Sequence, residues 1–209
     1  MKKTAFLLTT LGLFIASCSS DDDNGPETLP ITSEQVINLY APQTGGQGQG
    51  EISGEFTKFD LATGEITTST TEWDVAFRGT SIAINGGTET GTADEPERNG
   101  NAGLTVVTGT FNSVTTVQGL SFAQDSEGSF AIQTASEEGW YTYSGPPNHV
   151  ISPIPGRVLV VRTRDGHYAK IEILSYYKDS PAEPELTSES RYYTFNYVYN
   201  PNEGENSLE

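Results

Sequence analysis

The chain has 209 residues, of which 28 are acidic and 11 basic, for a formal net charge of −17 at pH 7. Such a charge disfavours DNA, RNA and anionic membrane surfaces as partners, and it is compatible with solubility at a cell surface or with cation binding. A single cysteine, Cys18, excludes a disulfide within the chain and a cysteine-type zinc centre.

Lys2 and Lys3 form a short basic region ahead of an apolar stretch, residues 5–16. At about a dozen residues the stretch has signal-peptide length and is too short to span a bilayer as a helix. Ile15-Ala16-Ser17-Cys18 resembles the bacterial lipobox. That resemblance implies that residues 1–17 are a lipoprotein signal peptide and that Cys18 is acylated after cleavage. Several acyl chains hold a protein at a membrane where one does not. Ser19-Ser20-Asp21-Asp22-Asp23 resembles the export signal of Gram-negative surface lipoproteins, which implies outer-membrane anchoring with exposure to the medium. Acidic polar runs also do not fold, so residues 18–30 equally read as a flexible tether. The two readings are compatible.

Residues 31–200 alternate short apolar-aromatic runs with Gly, Asn, Asp and Pro turns and lack helical periodicity, which predicts one all-β domain. Residues 45–50 lack the strand-to-helix setting of a nucleotide loop and read as a flexible loop. Residues 54–61 and 65–71 flank Ala62-Thr63-Gly64 as a hairpin. Trp73, Val75 and Phe77 alternate onto one side of the next strand, and residues 81–85 form another. Two segments read as irregular: residues 86–103, rich in Gly, Thr and acids, and residues 143–156, with four prolines. Long loops on a β scaffold are where a ligand is sought.

Residues 157–163 carry Val158-Leu159-Val160-Val161, an unbroken run expected of a central strand covered on both faces. Asp165-Gly166 is a two-residue hairpin signal. In residues 167–177, Ala169, Ile171 and Ile173 take one face and Lys170 and Glu172 the other. In residues 191–199, Tyr193, Phe195, Tyr197 and Tyr199 share a face. These three segments predict an antiparallel meander, and residues 201–209 read as a polar tail.

The sequence contains no G-x-S-x-G, H-E-x-x-H, P-loop or EF-hand motif, which argues against an enzyme. His149 and His167 are the only imidazoles. His149 follows Gly145-Pro146-Pro147-Asn148, a stiffened loop that suits a pre-organised ligand arm and equally a plain surface loop. His167 follows a tight turn and reads first as an exposed turn residue.

An ordered series of segments resembles the HmuY-type haem-binding surface lipoproteins. It begins with Trp73-Asp74-Val75-Ala76-Phe77 and Ile84-Asn85-Gly86-Gly87, and continues with Trp140-Tyr141-Thr142-Tyr143-Ser144 and Arg157-Val158-Leu159-Val160-Val161-Arg162. Asp165-Gly166-His167-Tyr168-Ala169-Lys170-Ile171, Ser175-Tyr176-Tyr177-Lys178-Asp179 and Tyr193-Thr194-Phe195-Asn196-Tyr197 complete it. The resemblance implies a single antiparallel two-sheet domain whose elongated hairpins clasp a ligand near their ends. It also implies capture of haem or a related porphyrin and its transfer to a TonB-dependent outer-membrane receptor.

The family holds haem iron between two axial histidines or methionines. One of these positions falls just past Ser144, where this chain has Gly145, and His149 comes later in the same loop. The other falls within about residues 104–119, which hold no His, Met, Cys or Tyr. The resemblance therefore leaves His149 as the expected metal ligand, with His167 in reserve if its hairpin end approaches that loop. Tyr143, like Tyr141 and Tyr168, carries a phenol of a kind that binds ferric haem, or else packs. Haem propionates are expected at Arg162, Arg157 or Arg164. The alternative is a surface adhesion or receptor-accessory lipoprotein that binds a glycan or peptide through its Tyr/Trp surface.

Cys18→Ala is expected to abolish lipidation and release the protein from the membrane. Metabolic labelling with a palmitate analogue checks this, and label retained by the variant would overturn the lipobox assignment.

Overall fold

A computed structural model describes residues 28–46 and 48–209. Cys18 and the acidic run 21–23 lie outside the described residues. The only helical element among the described residues is a single 3-10 turn, Phe111–Ser113. Five strands form the larger sheet in the order β1 (Thr32–Tyr40), β11 (Ser190–Asn200), β10 (Tyr168–Tyr177), β9 (Arg157–Arg162) and β6 (Gly103–Thr108). Four short strands form the second, in the order β3 (Glu65–Thr67), β2 (Thr57–Asp60), β4 (Val75–Arg78) and β5 (Ser81–Ile84). β7 (Tyr141–Tyr143) and β8 (Ile151–Pro153) pair only with each other. All strand pairings are antiparallel.

The late strands follow their side-chain pattern. β9 lies between β10 and β6, and its valine run is buried on both faces. Leu159 and Val161 join the main core, while Val158 and Val160 pack with Val114, Val117 and Leu208 on the other side. The predicted meander is β9-β10-β11, with Ala169 opposite Tyr199, Ile171 opposite Tyr197 and Ile173 opposite Phe195. All six of these side chains belong to the main core. A one-residue slip would turn every one of them to the opposite face, so the alternation itself fixes the register.

The smaller sheet packs its inner face on this row. Phe59 meets Phe195 edge-on at 5.5 Å, and Phe77 lies 4.8 Å from Tyr193 and 5.7 Å from Phe195, ring centre to ring centre. The β2-β3 hairpin turns through Ala62-Thr63-Gly64 as expected. Gly64 has φ +72°, and a Cβ there would collide with the Tyr197 hydroxyl, so glycine alone fits.

Two expectations need correction. Trp73 is fully buried, but not beside Val75 and Phe77: it packs with Phe56, Ala76 and Ala83. β4 starts only at Val75, and the preceding bend is set by Asp74, which turns inward to accept the Leu61 N–H. Residues 143–156 are half regular, because β7 and β8 build a two-stranded arm with residues 144–150 at its tip. Near the glycine-rich loop, Gly46 N–H donates to the Gly50 carbonyl, and a Thr44–Ser53 bridge lies at its base. The polar tail docks on the domain, since Leu208 is buried and donates its N–H to the Thr115 carbonyl.

Residues 86–103 are held by buried charge. Arg98 bridges Glu95 at 2.6 Å and Asp125 at 2.9 Å, and all three side chains are at most 2% exposed. Asn85, also buried, donates to the Thr71 and Trp73 carbonyls and accepts from the Asn99 and Gly100 N–H groups, which uses its full amide capacity. Burial alone would raise the Glu95 pKa, but hydrogen bonds from Thr90 and Thr92 outweigh it and hold the carboxyl at about 2.

Two stability outcomes follow. Phe77→Ala removes a ring at the centre of the sheet interface and is expected to cost about 3–5 kcal/mol, read as a lowered urea midpoint. A variant as stable as the parent would show that the inner face is misassigned. Glu95 has a folded-state pKa below its unfolded value of 4.5, so its stabilisation is complete above that pH and is lost as the pH falls toward 2. The midpoint gap between the parent and Glu95→Gln should therefore be widest at about pH 6 and close progressively through that window. A gap independent of pH would contradict a depressed Glu95 pKa.

Candidate functional site: an aromatic cleft under a two-stranded arm

The β7-β8 arm is fastened at its root. Trp140 is buried, donates Nε1–H to the Thr80 carbonyl at 2.9 Å, and lies against Tyr176 and Tyr193. Strand alternation places Tyr141 and Tyr143 on the same face of the arm. Tyr141 is buried and donates its hydroxyl to the Thr134 carbonyl, while Tyr143 remains 38% exposed. On the returning strand, Ile151 donates its N–H to the Tyr177 hydroxyl, tying the arm to the end of β10.

Between this arm, the 43–52 turn and the adjoining ends of β10 and β11 opens a cleft of about 880 Å³. Tyr141, Tyr143, His149, Tyr176, Tyr177 and Arg191 supply its aromatic and cationic walls. His149 is exposed on the arm tip. Its backbone is left-handed, at φ 51°, and its N–H is held by the Gly145 carbonyl. Its Nδ1 is hydrogen-bonded to the Tyr143 hydroxyl, and the two rings lie 5.8 Å apart. Desolvation pushes the Tyr176 phenol above its ordinary range, so that wall is a neutral hydroxyl.

The structure brings together only part of the residue set expected from the sequence. His149 and Tyr143 share the cleft; His167 and Arg162 do not. His167 precedes the first residue of β10, whereas the cleft uses the last two, Tyr176 and Tyr177. The ten-residue strand, roughly 30 Å long, lies between. The hairpin end therefore does not approach the arm. His167 is mostly covered, near Tyr199, with Nδ1 3.1 Å from Asp165 Oδ1 but without hydrogen-bond alignment.

Arg162 sits at that same far end, donating to the Asn101 carbonyl and lying over Phe122. Arg164 is committed to Asp60, Asp74 and Glu72. Arg157 donates to the Glu137 and Glu138 carbonyls, and Tyr168 packs on Phe122. Residues 86–103 contribute nothing to the cleft walls.

Sequence reasoning missed Arg191. The available signal was topological: in a meander, the start of β11 stands beside the end of β10, so Arg191 had to lie near Tyr176 and Tyr177. Among the described residues, no group of three or more His, Cys, Asp or Glu side chains is placed to hold a bare metal ion.

The fold and the cleft define an all-β domain of two facing antiparallel sheets with an aromatic pocket at one end of its long hairpins. The model of the HmuY protein family matches residues 54–197, and the chain belongs to that family. Three solved structures are similar. A Bacteroides vulgatus ATCC 8482 protein, provisionally described as an HmuY-like heme-binding protein, is 13% identical with a TM-score of 0.45, over 82% of this chain and 93% of its own. A Bacteroides fragilis NCTC 9343 protein, provisionally described as a lipoprotein, is 16% identical with a TM-score of 0.44, over 84% and 94%. The apo form of an HmuY analogue from Tannerella forsythia is 15% identical with a TM-score of 0.44, over 86% and 100%. No curated protein matches the chain.

Proposed function

We propose that this chain is a lipid-anchored surface protein of the outer membrane that captures haem or a related porphyrin in the arm cleft and yields it to a TonB-dependent receptor. The observation that carries the reading is His149, an exposed imidazole lining a tyrosine-walled cleft in a member of the HmuY family. The cleft volume of about 880 Å³ falls within the usual range for small-molecule sites, roughly 300–1,000 Å³. Its walls offer what a planar macrocycle needs: flat aromatic surface and one good donor for iron.

The Tyr143 contact engages Nδ1 and leaves Nε2 as the nitrogen turned to a ligand. When Nδ1–H donates to the Tyr143 oxygen, Nε2 keeps its lone pair free for a metal. Tyr143 thereby orients the His149 ring. With the usual axial pair not retained, one imidazole is the whole expected ligand set from protein. A role in binding rather than catalysis accords with the family and with the absence of a catalytic motif in the sequence.

Hemin titrated into the purified lipoprotein in detergent should give a saturable Soret band of high-spin, single-imidazole character. His149→Ala should weaken binding strongly, and His167→Ala should leave it nearly unchanged. Tyr143→Phe should lose about 10- to 100-fold in affinity, the usual effect of removing a partner that orients a ligand. A double His149/His167 variant that binds as well as the parent would overturn the site. A parent without any Soret change would overturn haem capture and favour a glycan or peptide ligand.

A further inference from the structure

The charge around the cleft runs against the charge of the molecule. The chain carries 28 acidic residues, yet not one aspartate or glutamate lines the cleft. The only permanently charged side chain on its walls is Arg191. The other cations of the described residues are occupied elsewhere. Arg98, Arg164 and Lys178 are paired with carboxylates. Lys58, Lys170, Arg78, Arg157 and Arg162 donate to backbone carbonyls away from the cleft walls. Arg191 makes one such bond, from Nη1 to the Gln43 carbonyl. Among the described residues it has no carboxylate within ion-pair distance, and its guanidinium lies beside the Tyr176 hydroxyl.

The backbone places this guanidinium at a cost. Tyr177 pairs with Ser190 and Ser175 with Thr194, so β11 advances four residues where β10 advances two. This irregularity contains Arg191, whose φ is 71°. A bulge of this kind re-aims a side chain, and a left-handed backbone is strained at a non-glycine residue. The half-buried guanidinium that results faces a cleft without a counter-ion.

We infer that Arg191 is an anion anchor of the cleft, selecting ligands that present a carboxylate. The inference rests on the cleft being a porphyrin site, where the carboxylates are the propionate side chains, and it replaces Arg162 in that role. Arg191 suits the task because its planar fork pairs a carboxylate through two parallel N–H donors, which a point charge does not do. The Tyr176 hydroxyl stands beside the guanidinium and is held neutral by burial, so it offers a further donor without competing negative charge.

The test compares hemin with hemin dimethyl ester, whose carboxylates are blocked, on the purified lipoprotein in detergent. The readout is the ratio of the two dissociation constants, which a purely structural defect would not change. The parent should favour the free acid by about tenfold or more, the scale of a charge-assisted hydrogen bond. Arg191→Gln should bring the ratio close to one with an unchanged Soret maximum, Arg191→Lys should give an intermediate ratio, and Arg162→Gln should match the parent. Should Arg191→Gln fail to fold, the parent alone still decides: raised salt must weaken the free acid more than the ester.

A parent that binds hemin without preference, or an Arg191→Gln ratio equal to the parent's, overturns the anchor and leaves haem capture standing. If the parent gives no Soret band, the same comparison is made with metal-free protoporphyrin and its dimethyl ester, followed by quenching of tryptophan fluorescence. An Arg191-dependent preference there upholds the anchor and removes iron from the reading. Binding of neither porphyrin overturns both.

Discussion

One buried carboxylate joins the two sheets. Asp74 is fully buried at the entrance to β4 in the smaller sheet, and it accepts hydrogen bonds from the Leu61 N–H, the Arg164 N–H and the Arg164 guanidinium. Arg164 belongs to the β9-β10 turn of the larger sheet and also reaches Asp60 and Glu72. Burial pushes the Asp74 pKa up, and the arginine offsets only part of that shift. Two separate segments must meet at this point, because either charge left without the other would be strongly destabilising, by about 3–5 kcal/mol. A carboxylate with three donors fixes position more narrowly than apolar contact does. The aromatic pairing of Phe59 and Phe77 with Phe195 then fills the space that the clamp defines.

The clamp sits at one end of β10 and the cleft at the other, and this polarity sorts the chemistry. Side chains around the β9-β10 turn serve the clamp or its surroundings: Arg164 neutralises acids, Asp165 accepts from Thr163, and His167 lies beside Asp165. At the opposite end the sheets are bridged by rings, with Trp140 wedged against Tyr176 and Tyr193 and hydrogen-bonded to Thr80 of the β4-β5 turn. That wedge carries the arm. A donor at the arm tip is thus referenced to both sheets through Trp140 and to β10 through Tyr177, although it resides in a loop.

How much was legible in the sequence depended on whether side-chain periodicity or tertiary contact decided the outcome. The meander was legible because Ala169, Ile171, Ile173 and the tyrosines of β11 alternate against one core, and period 2 has only one solution there. Lys170 shows the limit. Its position on the opposite face was readable, but its burial was not: the 3-10 turn and the docked tail cover that face, and Nζ donates to the Phe111 and Val114 carbonyls. Trp73 departed from its neighbours because Asp74 turns inward to Leu61 and Arg164, contacts that no local pattern marks. His149 was readable as a candidate from residue type and family position, whereas Arg191 was not, because nothing local marks a cation as facing a cavity.

The two non-tyrosine groups that give the cleft its chemistry, His149 and Arg191, both have left-handed backbones, at φ 51° and 71°. Neither conformation is required by glycine, and each costs roughly 1–3 kcal/mol relative to an ordinary strand or turn. Such strain persists only where surrounding contacts over-determine the backbone. Both have them. Gly145 and Val150 lock the arm tip through hydrogen bonds on either side of His149, and Arg191 is held by Ala41 N–H at its carbonyl and by Gln43 at its side chain. The backbone that carries each side chain is therefore held by the fold, and under the proposed reading this lowers the ordering entropy that a loose loop would lose on binding. Under the proposed reading, a cleft with one oriented donor and one oriented cation reaches selectivity through placement rather than through the number of contacts.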